Sequence, residues 1–494
     1  MGESLGSLRN VRILTPGRIL YRVFAVLLVL WFGIGWLASL ASHIDVAGEN
    51  CRESEIRAQT RSIERRLALG EDELMNVIIP EGALFCNTLF GFSLICQGKK
   101  LPRTSPERQR LLERLERLIA KVERMRERYP FELNTKLNPP GGIIISGHEN
   151  LLRAGYCTLG GRRPDIVAAF GRQSRLINDA ILATPSGFPQ CYKGYTWAQD
   201  CVFAVDSLRI HDELFGTDYS AAIEKYVSGL KEHIDPVSGL MIAQVDPASG
   251  KSIEGARGCA AAWGLSILPS IDADFSRSQY ALFRKSWYVD VLGCRAAHEW
   301  YRGKSTSTNF HAGPVVFGMG AAASGICIAA ARRAGDRVSF NRLLRSLELV
   351  GLPFYTAGGE KYYFFRLCLM ADVVSLWGKT IEPFDNAEVP ASQEPNREQT
   401  DLFWLVIVLV AALSIMTVAV LSKNLLSIIR DDKVVRVSWN KTTAAGFLFQ
   451  AACVVLFFLS GTFSFLQIFI FMTMIDLVEA MAVRPAIIGK LYDS

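Results

Sequence analysis

The run SPERQRLLERLERLIAKVERMRERYP, residues 105–130, decides how the middle of this chain is read. Ser105-Pro106-Glu107 opens a helix, with the proline in the first turn, where its missing N–H would have had no partner. Leu111, Leu112, Leu115, Leu118, Ile119, Val122 and Met125 then recur at spacings of three and four, with Arg and Glu between them. That is one apolar face and one charged face. Tyr129-Pro130 ends the helix, because a residue before proline is pushed out of the α region. A coiled-coil strand or a membrane-surface helix would share the pattern, but a helix packed on a domain is the plainer reading.

The same logic extends in both directions. Residues 53–75 are charged and helical in pattern, and 76–97 are apolar with scattered polar groups. From 148 to 380, helical patterns alternate with short Gly, Pro and Asp turns. They cover 148–157, 164–183, 196–214, 218–234, 257–269, 277–300, 313–334, 338–349 and 362–378. Roughly a dozen helices joined by short turns form paired hairpins, and six pairs close into an (α/α)6 toroid. A solenoid would need a fixed-period repeat, and none is seen. One stretch departs from helix. Asp235-Pro236-Val237-Ser238-Gly239 and Asp246-Pro247-Ala248-Ser249-Gly250 bracket Leu240–Val245, which reads as a short β element.

Three uncharged runs lie outside this region. Residues 23–42 and 402–422 are each long enough for a helix of about 30 Å, and 442–475 is longer still. Arg9, Arg12, Arg18 and Arg22 precede the first run, and Lys423, Arg430, Lys433, Arg436 and Lys441 separate the other two. The positive-inside rule puts both basic stretches in the cytoplasm and the middle domain outside it. A cleaved signal peptide is the competing reading of the first run, since Ala38–Ser42 offers small residues, but its apolar stretch is long for one. The expected fold class is therefore all-α: a toroid domain with about three transmembrane helices, in a multi-pass integral membrane protein. The expected organisation is a cytoplasmic segment over 1–22, a membrane helix over 23–42, a helical arm over 43–130 and the barrel over 131–384. A linker over 385–400, a membrane helix over 401–422, a basic loop over 423–441, membrane-crossing chain over 442–480 and a tail over 481–494 follow.

Composition narrows the chemistry. The chain is 50% hydrophobic and 21% charged, with a formal net charge of +6 spread along its length, so nucleic acid is not the expected partner. The eleven cysteines include no CxxC pair, and the six histidines show no i, i+4 pair, so neither a metal nor a cofactor is expected. Three places can carry proton chemistry. His148, in Ser146-Gly147-His148-Glu149, follows a glycine at a helix start and can act as acid or base, or simply cap the helix. Cys191 and Cys201 flank Tyr192–Asp200, either as tuned thiols or as a structural disulfide. Tyr355, Tyr362 and Tyr363 bracket Gly358-Gly359, each with a phenolic proton to give or a core hydroxyl to satisfy.

Phe215-Gly216-Thr217-Asp218-Tyr219, His233-Ile234-Asp235-Pro236, Asp246–Gly250, Ala262-Trp263 and Arg333-Ala334-Gly335-Asp336 together resemble the linalool dehydratase/isomerase family, over roughly residues 145–380. The resemblance implies an (α/α)6 barrel whose site uses a His and two Cys with an acid and tyrosines. His148, Cys191 and Cys201 match that trio, and Tyr362 or Tyr363 a family tyrosine. The family's acid comes from an N-terminal segment, and residues 81–96 are the corresponding region. They offer Glu81 and Cys86 but no Asp. The expected function is that of a membrane-anchored hydro-lyase or isomerase acting by acid/base chemistry on a lipophilic, isoprenoid-like alcohol. The expected partners are that small molecule and the lipid bilayer, with a homo-oligomer left open. A carbohydrate-active enzyme, which needs two facing carboxylates, and a non-catalytic lipid-binding module are the alternatives.

Overall fold

In the computed structural model of the protein, residues 53–291, 294–303, 312–316, 318–351 and 353–384 are described. Nearly all belong to one unit, Ile44–Gly351 with Glu360–Thr400, and residues 353–359 to another. The first unit holds the helices. They are α1 (Glu53–Ala68), the single-turn α2 (Glu71–Leu74), α3 (Gly82–Lys99), α4 (Pro106–Met125), α5 (Ile143–Thr158), α6 (Pro164–Ala183) and α7 (Val202–Phe215). They continue as α8 (Ser220–Glu232), α9 (Gly258–Leu265), α10 (Ala273–Ser286), α11 (Ala321–Arg333), α12 (Arg337–Gly351) and α13 (Leu369–Thr380).

Six of them form a closed ring. Helix α3 packs on α5, and α5 on α7. A 3-10 turn, Ala198–Cys201, joins α7 to α9. Helix α9 packs on α11, α11 on α13, and α13 back on α3. The other long helices lie outside this ring: α4 against α3 and α5, α6 against α5 and α7, α8 against α6 and α7, α10 against α9, α12 against α11, and α1 against α13. The residue patterns explain the division. Outer helix α4 buries the seven apolar residues of its one face, Leu111 through Met125, and leaves every charge but Arg108 partly or fully exposed. Each such side chain contributes about 1.5–3 kcal/mol when fully buried. Inner helix α3 is buried nearly all round, from Gly82 to Gly98, as a helix must be when neighbours cover every side.

The connections are unequal. Inner-to-outer links are short, at 100–105, 159–163, 216–219, 266–272 and 334–336. Outer-to-inner links are long, at 69–81, 126–142, 184–201, 233–257, 287–320 and 352–368. The long links carry the small β elements. β1 (Thr196–Trp197), β2 (Gln244–Val245) and β3 (Ser252–Glu254) make an antiparallel sheet in which Thr196 faces Val245 and Gln244 faces Glu254. β4 (Tyr288–Val291) and β5 (Cys294–Ala297) form a hairpin, and β6 (Val315–Val316) pairs with β7 (Met319–Gly320).

Several expectations are corrected. No helix among the described residues is long and apolar enough to cross a membrane. The most apolar long helix, α3, carries Asn87, Thr88, Ser93 and Gln97 and is spent inside the ring. The fold class with about three transmembrane helices and the multi-pass integral membrane protein therefore do not stand. The runs 23–42, 402–422 and 442–475, like the linker, lie outside the described residues. Nor is the fold purely helical, given the short sheets. The helix expected over 277–300 stops at Ser286, because Trp287-Tyr288-Val289-Asp290-Val291 is aromatic and β-branched and pairs as a strand. The helix expected from 196 starts at Val202, after β1 and the 3-10 turn, and the one expected from 313 starts at Ala321. The helices of 53–125, read as an arm, supply one inner and two outer members of the ring.

Candidate active site

The long-link face is where side chains with proton chemistry gather. Two glycines build it. Gly82 opens α3, and a Cβ there would lie 2.3 Å from the Met75 carbonyl oxygen, so only glycine lets the incoming link turn back on itself. That turn seats Glu81 at the helix N-terminus, 3% exposed. Gly142, at φ 90°, opens α5; its Cβ would lie 1.9 Å from the Cys191 carbonyl oxygen. With Ile143 N–H donating to the Gln190 carbonyl at 2.9 Å, this close approach ties the cysteine link to the helix that carries His148. His148 lies in the second turn of α5 rather than at its start, since Gly141-Gly142 supplies the turn. Gly147 sits inside the helix because α7 presses Ala204 against it.

Helix α3 presents Glu81, Phe85, Thr88 and Phe92 at spacings of four, three and four, which is one helix face. Phe85 and Phe92 lie against the His148 ring with centroids at 5.4 and 5.9 Å. Phe203 of α7 stacks on His148 at 4.3 Å, Trp263 of α9 at 5.7 Å, and Trp377 of α13 meets Trp263 at 5.6 Å. Aromatic side chains from five inner helices thus converge, which fixes their direction toward the ring interior. His148 is fully buried, and burial depresses its pKa to about 3, so the ring is neutral at ordinary pH. Its Nε2 and the Trp263 Nε1 have no hydrogen-bond partner among the described residues.

Beside this aromatic box lies the acidic part. Tyr192 Oη donates to Glu81 Oε1 at 2.5 Å, while Oε2 is buried without a partner among the described residues. Asp200 sits in the 3-10 turn. Burial raises its carboxyl to about 7; a hydrogen bond with Cys191 opposes the shift, and the charge of Glu81 adds to it. Cys191 and Cys201 are both free, buried thiols. Cys191 Sγ accepts from Trp197 N–H at 3.3 Å and reaches the Trp197 carbonyl at 3.7 Å; Cys201 Sγ reaches that same carbonyl at 4.0 Å. Burial and then Asp200 push both thiols well above their usual range, so they are protonated. Tyr226 closes the floor, donating to the Ala198 carbonyl at 3.2 Å.

The structure therefore brings Cys191 and Cys201 to one carbonyl and joins them, through Asp200 and Glu81, to the helix face that holds His148. Tyr362 sits elsewhere on the same side of the ring. Its hydroxyl donates to Glu360 at 2.5 Å, and Arg66 and Arg366 lie over its ring. Cys86 is buried toward Asp72, Cys368 and Arg66, away from the Glu81 pair. Sequence reading placed Tyr192 and Asp200 in the stretch between the two cysteines without a catalytic role, and missed Thr88 and Tyr226 as members of the site. The four-three-four spacing from Glu81 to Phe92 was the signal that would have found Thr88. Among the described residues no cluster of His, Cys, Asp and Glu is arranged to hold a metal ion.

This arrangement defines a helical ring with a buried acid–base cluster at its long-link end. A search against models of known protein families finds none that matches the chain.

Proposed function

We propose that the ring interior is an active site for acid–base elimination or isomerisation of a lipophilic alcohol. The observation that carries this reading is Asp200, a part-buried carboxyl titrating near neutrality, next to an aromatic box that holds a neutral imidazole. A carboxyl with a pKa of about 7 still holds its proton at the pH where enzymes work, which suits a general acid. It protonates the substrate hydroxyl, the C–O bond breaks with both electrons leaving on oxygen, and water departs. A base removes a proton from the neighbouring carbon, and that electron pair becomes the C=C bond. The Glu81–Tyr192 pair serves as the base, and His148 Nε2 accepts from the substrate hydroxyl. The rings of Phe85, Phe203 and Trp263 stabilise the developing positive charge through their faces and keep water out. Glu81 and Asp200 also give the site two carboxyl groups, the feature that the carbohydrate alternative requires. The aromatic walls and buried thiols favour the apolar substrate. The resemblance to linalool dehydratase/isomerase supports the same reading.

The test uses the full chain with a panel of branched allylic alcohols and, in parallel, aryl glycosides. Alkene is followed by gas chromatography, and deuterium uptake from heavy water marks the reverse reaction. Turnover of an alcohol that falls by about 10²–10⁴ in Asp200→Asn supports the proposal. Full turnover in His148→Ala removes the imidazole role. Turnover of glycosides alone overturns the proposal in favour of the carbohydrate alternative.

A further inference from the structure

We infer that Thr88 is a positioning residue that fixes His148 in a single tautomer, with the proton on Nδ1 and a bare lone pair on Nε2. The inference follows from counting hydrogens. A threonine hydroxyl has one proton to give. Thr88 Oγ1 lies 2.9 Å from the Leu84 carbonyl oxygen, one turn back in α3, and a carbonyl can only accept. The Thr88 proton is therefore committed to Leu84. Thr88 Oγ1 also lies 2.9 Å from His148 Nδ1. With its proton spent, the threonine oxygen can only accept there, so Nδ1 must carry the hydrogen. A neutral imidazole has one N–H, which leaves Nε2 as an acceptor. That nitrogen is buried and has no partner among the described residues. The ring that carries it stacks on Phe203 and Trp263.

The consequence deepens the proposed function and rests on it. Whatever group meets Nε2 must bring a hydrogen. An alcohol does so, whereas a ketone, ester or ether oxygen does not. The locked ring discriminates by hydrogen-bond sense, and such a site rejects analogues lacking the donor far more strongly than an apolar wall can.

The tautomer can be read without turnover. Full-length protein labelled with 15N-histidine is compared with His148→Gln to assign the His148 resonances. The expected spectrum has a pyrrole-type Nδ1 and a pyridine-type Nε2, unchanged from pH 5 to 8. Thr88→Ser keeps that pattern, because serine retains the hydroxyl. Thr88→Val loses it, giving the opposite tautomer or exchange between the two. A native spectrum with the proton on Nε2, or Thr88→Val retaining the native pattern, overturns the inference. If Thr88→Val fails to fold, the native spectrum and its pH series still decide. A native tautomer as described, with no alcohol turned over, leaves the positioning role standing and removes the proposed function instead.

Discussion

Acidification from pH 7 to pH 5 should separate His148→Gln and Asp200→Asn from the native protein in opposite directions. His148 titrates at about 3 in the fold against an ordinary value of 6.5. Below pH 6.5 the unfolded chain takes up a proton that the folded chain refuses, so stability is lost as pH falls. Between pH 7 and 5 that loss is about 2 kcal/mol, at 1.36 kcal/mol per pH unit over the 1.5 units below the ordinary value. Asp200 works the other way. Its folded pKa is about 7 against 3.8, so the folded chain holds a proton that the unfolded chain has released. Stability therefore rises as pH falls through 7, again by about 2 kcal/mol down to pH 5. In the native protein the two effects nearly cancel. Urea denaturation followed by tryptophan fluorescence should show His148→Gln gaining about 2 kcal/mol relative to native on acidification, and Asp200→Asn losing about the same. Titrating groups that do not touch His148 or Asp200 contribute equally to the three proteins and drop out of the differences. If the variants track native within about 0.5 kcal/mol, the reasoning about burial at this site is refuted.

Three further changes test how the site is held. Gly142→Ala places a methyl on the Cys191 carbonyl at a positive φ and should cost about 2–4 kcal/mol, read as a fall in Tm. Tyr192→Phe removes the donor from Glu81, whose other oxygen has no partner among the described residues, and should destabilise the fold by about 1–3 kcal/mol in urea melts. Arg66→Met strands Asp372, which is fully buried and 2.6 Å from the guanidinium; the expected loss is about 3–5 kcal/mol. Adding Asp372→Asn should restore part of that loss at alkaline pH, where the carboxyl left behind, raised to about 7 by burial even beside Arg66, carries its charge.

The helical skeleton was legible because its signals are local. The amphipathic face of 105–125 and the turn residues around 160, 184, 216 and 335 mark helix limits without reference to anything distant. Helix α6 runs over the residues its pattern predicts, Pro164–Ala183. The hairpin at 288–297 was hidden because it follows a helix directly, and aromatic and β-branched residues fit either periodicity over so short a run. The site was partly legible. His148, Cys191 and Cys201 stand out as residue types, but the groups that tune them come from distant segments. Glu81 meets Tyr192 across 111 positions, and Thr88 meets His148 across 60. Nothing in a single sequence reports such pairings. The acid could not be assigned for the same reason: the pKa of Asp200 comes from its burial and from Glu81, neither of which is written near residue 200.

The ring closes where α13 meets α1 and α3, and the contact with α1 is polar. Gln59 donates to the Asp372 carbonyl at 2.7 Å and to Ser375 Oγ at 2.8 Å, and Arg66 pairs with Asp372. An apolar contact tolerates sliding by a turn, but a guanidinium and a carboxylate meet in one register only. The joint between the first and last described helices thus acts as a gauge. It fixes the register of α1 on α13, the inner helix that carries Trp377 of the aromatic box. A chain with good helices but a mismatched joint would still be helical by circular dichroism, yet it would hold α1 and α13 out of register.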